Sequence, residues 1–265
     1  MGKYLKLKGL CVSGYYDVLD GLSLCASRET GSVCFGDMAE MLRSSDVVFV
    51  TVNDDAIPVV ARQLQGLPVG GKWVFHCSGA LSSDVFAGLA EAGANVGSAH
   101  PVCAVKDNDS AEAFFGKFFV LEGDEKGLEM LKHLMDKTGN GYRIVSKADK
   151  AKYHAAMVMS SNMVCALARM SEDWLADCGF DGATARAILV PLMKGNVDNI
   201  AQKGCVEALT GPVERGDAGT VQRHLGALDG DSREVYRLLS LLLVDMAMTK
   251  NPDKDYDNLN EVLQK

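Results

Sequence analysis

The chain has 265 residues, 48% of them hydrophobic and 23% charged, which is enough to bury a sizeable core in one large or two ordinary domains. A formal net charge of −8 and a pI near 5.2 argue against nucleic acid and against an anionic membrane as partners, because phosphate binding rests on clustered Lys and Arg. Apolar stretches such as 238–244 fall far short of the roughly 20 residues that span a bilayer, so a soluble protein is expected, placed in the cytoplasm by default.

Lys3–Leu7 reads as the tail of an amphipathic helix and not as a secretory leader. From there, short β-branched runs alternate with helical patterns, the sequence form of βαβ units and a parallel sheet. Strands are expected at 11–16, 46–52, 73–76, 95–99, 118–121 and 142–145, and helices at 38–44, 57–67, 82–92 and 126–138. After Ser146 the strand pattern stops, which sets a domain boundary near residue 146. One long helix is expected from about Ala148 to Cys178, closed by Gly179, with Asp181 capping the next helix and Pro191 kinking or breaking it. Asp231-Ser232-Arg233-Glu234 has the spacing of a capping box, and residues 251–265 read as a loosely held polar tail.

The eight cysteines are dispersed with no C-x-x-C and sit mostly in apolar segments, which predicts reduced, buried thiols. His76-Cys77, His100 and Cys103 could gather around zinc, but the paired spacing of zinc sites is missing and no metal is expected.

In an open parallel sheet, ligands bind beyond the carboxyl ends of the strands. The loops there carry Asp17, Asn53-Asp54-Asp55, Cys77-Ser78-Gly79 and His100-Pro101. Asp17 could accept hydrogen bonds from a ribose diol and repel a 2′-phosphate, or could simply cap a turn. Lys150, His154 and Ser161 fall within an arc of roughly 40° if one helix carries all three. A polar stripe on so apolar a segment suits the lining of a cleft, and partial desolvation of a Lys favours proton donation. A cleft lysine is expected to add little to packing. Arg215, within Leu209-Thr210-Gly211-Pro212-Val213-Glu214-Arg215-Gly216-Asp217, could hold a substrate carboxylate, or belong to a plain interhelical loop.

Taken in order, Val47–Val52 with Asn53-Asp54-Asp55, His76-Cys77-Ser78-Gly79-Ala80-Leu81, Ser98-Ala99-His100-Pro101, Lys150-x-x-Tyr153-His154 through Ser161-Asn162, and 209–217 resemble the Rossmann-like proteins that bear domain of unknown function 2520. That family is similar to the 6-phosphogluconate dehydrogenase-like and β-hydroxyacid dehydrogenase group. The resemblance implies an α/β, mostly parallel Rossmann-like NAD(P)-binding domain over 1–146. An all-α domain over 147–265 would serve substrate binding and dimerisation. It implies acid–base roles for Lys150 and His154 beside the nicotinamide, a cofactor border at Val52, Asn53, Asp54, Ser78 and Gly79, and a substrate-facing set of His100, Ser161 and Asn162.

Members of the family open with a strand and a G-x-G-x-x-G-like turn, whereas this chain opens at Met1-Gly2-Lys3-Tyr4, inside the following helix. Weak binding of NAD or NADP is therefore expected, with NAD preferred on account of Asp17. The expectation overall is an NAD(P)-dependent oxidoreductase acting on a carbonyl or imine carbon of a small molecule, as a homodimer. A non-catalytic nucleotide- or metabolite-binding protein and an oligomeric scaffold are the alternatives.

Overall fold

The computed structural model describes residues 1–103 and 111–264. Seven strands are present among these: β1 (Gly14–Tyr15), β2 (Val33–Cys34), β3 (Val47–Val50), β4 (Trp73–His76), β5 (Asn95–Pro101), β6 (Phe119–Gly123) and β7 (Tyr142–Ile144). The helices are α1 (Gly2–Leu7), α2 (Asp20–Thr30), α3 (Met38–Arg43), α4 (Ile57–Gln65), α5 (Ala87–Glu91), α6 (Glu125–Thr138), α7 (Lys150–Ser160), α8 (Asn162–Asp177), α9 (Gly182–Lys203), α10 (Cys205–Ala208), α11 (Ala218–Ala227), α12 (Gly230–Lys250) and α13 (Asp257–Gln264). No helix is long and apolar enough to cross a membrane, among the described residues. The last strand ends at Ile144, and the chain separates into two compact units, Met1–Ser161 and Asn162–Lys265.

In the first unit, β3-β4-β5-β6-β7 form one sheet, parallel except where β5 runs antiparallel to β6. β1 and β2 make a separate parallel pair, and a cavity of about 270 Å³ lies between β1 and β3, lined by residues 10–16 and 47–49. Side chains alternate between the faces of a strand, so each buried strand supplies two cores. Val48, Val50, Val74 and Val96 pack under α3, α4 and α5, while Phe75, Ala99, Phe119 and Leu121 pack with Tyr4 of α1 and with Leu131, Leu134 and Met135 of α6. α6 starts where Asp124 accepts the Gly127 N–H and ends at Gly139 in the left-handed region, a conformation that only glycine adopts without strain. The class expected from the sequence, a mostly parallel α/β sheet followed by helices, is what forms.

Several local expectations are corrected. The long helix is interrupted at Ser161 (φ −125°, ψ −78°), because the hydroxyls of Ser160 and Ser161 bond back to the Ala156 and Met157 carbonyls and compete with the helical ladder. Ser161 therefore leaves the helix face that holds Lys150 and His154. α9, capped by Asp181 as expected, continues through Pro191 without a break. α12 begins one residue ahead of the supposed capping box, with Asp229 as its N-cap, so Asp231 lies in the first turn. The tail is not loose: α13 packs Leu259 and Leu263, with Tyr256 ahead of it, into a core with Val221, Leu225, Val244 and Ala247. None of the eight cysteines forms a disulfide, but six are exposed, and Cys77 and Cys103 are half-buried. The short elements α2 and β2, which carry little apolar signal, escape the sequence pattern.

Candidate functional site

The register across the sheet sets a row of cross-strand partners: Val50 opposite His76, His76 opposite Ser98, and Ser98 opposite Glu122. Partners in a ladder share a face. These side chains therefore lie on the face that carries Val48, Val74 and Val96, and His100, two residues beyond Ser98, faces the same way. A buried valine row thus becomes a buried polar row as it approaches the ends of the parallel strands.

Lys150 closes over this row. It is the one fully buried residue of α7, 1% exposed at the helix's first position. Its Nζ donates to Ser98 Oγ, and Ser98 Oγ donates in turn to Glu122 Oε2 at 3.4 Å. The Glu122 carboxylate is fixed by Ser83, whose N–H (2.7 Å) and Oγ–H (2.6 Å) donate one to each oxygen. Burial pushes the Lys150 ammonium down to about 8, against the opposing charges of Glu122 and Asp54.

One turn further along α7, Tyr153 OH lies 2.7 Å from His100 Nδ1, and the rings of His100 and His154 meet edge to face with centroids 6.0 Å apart. The strand-end loop at Gly79 reaches both rings. A Cβ at Gly79 would stand 2.6 Å from His154 Cδ2 and 2.8 Å from His100 Nε2, so this approach admits only glycine. Burial, with the Lys150 and His154 charges, drops His100 to about 4, and burial raises the Tyr153 phenol to about 12. Near pH 7 both are neutral hydrogen-bonding groups.

Ser78 ties two loops together. Its Oγ donates to Asp54 Oδ2 (2.7 Å) and accepts the N–H groups of Ala80 (3.1 Å) and Leu81 (3.0 Å). His76 is a structural histidine: Nδ1 accepts the Ser78 N–H and Nε2 donates to the Ser82 carbonyl, which leaves it neutral and inside the fold. At the strand ends, a cavity of about 450 Å³ is lined by Thr51, Val52, Asp54, Cys77, Ser78 and His100, among others. Among the described residues no group of His, Cys, Asp and Glu is placed to hold a metal ion.

The structure thus brings together Val52, Asp54, Ser78, Gly79, His100, Lys150 and His154 within the first unit, with Asn53 in the loop between Val52 and Asp54. Lys150 sits behind the cavity wall, joined to β5 through Ser98, and does not line the cavity itself. Asp17 is elsewhere: its Oδ1 accepts the Leu19 N–H at 2.8 Å, the turn-capping alternative, and it does not line this cavity. Ser161 and Asn162 are exposed at the break between α7 and α8, and Arg215 is exposed on the loop before α11. Sequence reasoning missed Ser83, Ser98, Glu122 and Tyr153. A signal for two of them was present, since Ser98 precedes His100 by two on a strand and Glu122 is a lone carboxylate in an apolar one.

Fold and site together define a Rossmann-like α/β protein with a helical C-terminal unit and a buried polar row leading to its strand ends. Residues 117–242 match the model of the domain of unknown function DUF2520, the family that the motifs resemble. Protein TM1727 from Thermotoga maritima is similar at 29% identity and a TM-score of 0.75, over 94% of this chain and 96% of that one. A putative NADP oxidoreductase, BF3122 from Bacteroides fragilis, is similar at 20% identity and a TM-score of 0.69, over 92% of each chain. A reductive aminase from Aspergillus terreus, solved with NADPH and ethyl levulinate, follows at 10% identity and 0.64, over 98% and 93%. At such identities the last two speak for the fold. No curated protein matches the chain.

Proposed function

We propose that the protein is an NAD(P)-linked oxidoreductase acting on a carbonyl or imine carbon of a small molecule. The observation that carries this reading is the burial of one lysine, Lys150, at the start of an otherwise poorly buried helix, hydrogen-bonded to the strand whose end bears His100. A protein that only binds its ligand has no need of a proton-exchanging group there. The residues at the strand ends suit a nicotinamide: an exposed apolar Val52 beside Thr51, Asp54 and Ser78 offers a wall for a flat ring and polar groups for its carboxamide. When bound, such a cofactor supplies or accepts the hydride.

The chain's own residues do the rest. Lys150 is the source or sink of the proton, and His154, one turn on along α7, carries it between the buried ammonium and the substrate oxygen or nitrogen. Neutral His100, held by Tyr153, orients that atom by a hydrogen bond. Val52, Asn53, Asp54, Ser78 and Gly79 border the cofactor, and Asp17 turns its ribose preference toward NAD. The substrate roles of Ser161, Asn162 and Arg215 rest on sequence alone. In this reading residues 1–146 form the cofactor domain, and 147–265 serve substrate binding and a homodimer.

Calorimetric titration with NAD and NADP, followed by a screen of small ketones with and without amines for NAD(P)H consumption, tests the reading. Saturable binding and carbonyl-dependent consumption are expected, and Asp17→Ser should narrow the NAD to NADP ratio. No heat of binding up to about 1 mM of either dinucleotide would end the proposal.

A further inference from the structure

We propose that Glu122 is a positioning residue for Lys150, acting through the hydroxyl of Ser98 to hold the ammonium in place and to set how readily it releases its proton. Glu122 is 1% exposed in a strand otherwise made of Phe, Val, Leu and Gly. A carboxylate in such a place is costly unless it is both hydrogen-bonded and compensated by charge. Its three hydrogen-bond donors, the Ser83 N–H, the Ser83 hydroxyl and the Ser98 hydroxyl, are all neutral. The compensating charge arrives one bond further on, because the lone pairs of Ser98 Oγ are turned to Lys150 when its proton is given to Glu122. Ser83 locks the carboxylate, the carboxylate orients the hydroxyl, and the hydroxyl fixes the lysine.

Other charged and titratable groups face Lys150 from the neighbouring elements. Asp54, on the loop after β3, favours its charged form as Glu122 does, while burial holds Cys77, on the loop after β4, as a neutral thiol. His76 on β4 and His100 on β5 feel its charge and are held neutral. Of the groups that favour the ammonium, Glu122 contributes most. Without its charge the lysine would lose its proton at a still lower pH.

The proposal rests on the catalytic reading of Lys150 only for its effect on turnover; the coupling of the two residues stands apart from it. The test is therefore a direct one: pH titration of the Lys150 side chain by NMR in the full chain, assigned with Lys150→Arg. Glu122→Gln and Ser98→Ala should each lower the Lys150 midpoint, the former by about one pH unit or more. Asp84→Asn, which removes the exposed carboxylate paired with Lys147, should leave it in place. An unchanged midpoint in folded Glu122→Gln overturns the proposal, as does an equal shift in Asp84→Asn. Should Glu122→Gln fail to fold, an unchanged midpoint in Ser98→Ala overturns it. If the midpoint moves while the pH–rate profile does not, the coupling holds and the proton-transfer role of Lys150 falls.

Discussion

The phenol of Tyr153 lies 2.7 Å from Nδ1 of His100, and this bond joins the second turn of α7 to the end of β5. Tyr153→Phe removes it without changing the shape of the ring. The His100 ring then loses its anchor, and KM for the substrate is expected to rise by about tenfold with a smaller change in kcat. Steady-state kinetics decide this, and a KM equal to wild type would free His100 from the role given to it.

The histidines also make stability depend on pH. His76 and His100 are each lowered from 6.5 to about 4, by burial first and then by the Lys150 charge. The unfolded chain binds protons that the folded one refuses between those values, so stability is lost as pH falls from about 6.5 toward 4. For fully buried His76 the slope approaches about 1.4 kcal/mol per pH unit. Denaturant unfolding at intervals from pH 7 to 5, above the ordinary carboxylate range, should show the decline. A flat profile there would mean that both rings are free to charge.

Lys150→Met should abolish turnover, but the structure reverses the expectation that such a change is nearly neutral for stability. A buried carboxylate that loses its partner is strongly destabilising, here by about 3 kcal/mol. Adding Glu122→Gln to Lys150→Met should recover much of that loss and none of the turnover. Thermal denaturation of the two variants separates the effects: a double variant no more stable than the single one would show that the charge was not the cause.

Gly79→Ala places a methyl group 2.6 Å from His154 and 2.8 Å from His100. The rings must shift, at a cost of about 1–3 kcal/mol and about a hundredfold in kcat/KM. His154→Ala in the same chain opens the space and should restore the lost stability. A fully active, fully stable Gly79→Ala variant would remove this loop from the site.

α8 buries no residue within the chain and α9 buries only Ala185, while Val164, Leu167, Val190, Leu192, Val197 and Ile200 are exposed. Association of two copies would cover such a surface. Light scattering should return twice the 28.4 kDa chain mass at micromolar concentration, and Leu192→Glu should return the single mass with unchanged helix content. A monomeric wild-type chain would leave the exposed helices without this explanation.

The sequence by itself determined the α/β class, the position of most strands, the switch to helices after residue 146 and the family resemblance. Each of these depends on local periodicity or on motifs read in order, and Val47–Val50, Trp73–His76 and α6 formed close to where their patterns lie. Lys150, His154 and His100 were legible for the same reason, as polar groups at a helix start and a strand end.

Tertiary structure decided what those groups touch. Ser98 and Glu122 joined the site because β5 and β6 pair antiparallel in a register that sets them opposite each other, and pairing between distant segments leaves no local trace. Ser161 sits at the break between α7 and α8 because two serine hydroxyls bond back to their own helix, and the Asp17 carboxylate is held in its turn by the Leu19 N–H two residues on. Periodicity tells which face a residue takes; only the packed fold determines its partner across that face, and the partner sets the charge and reach of the site.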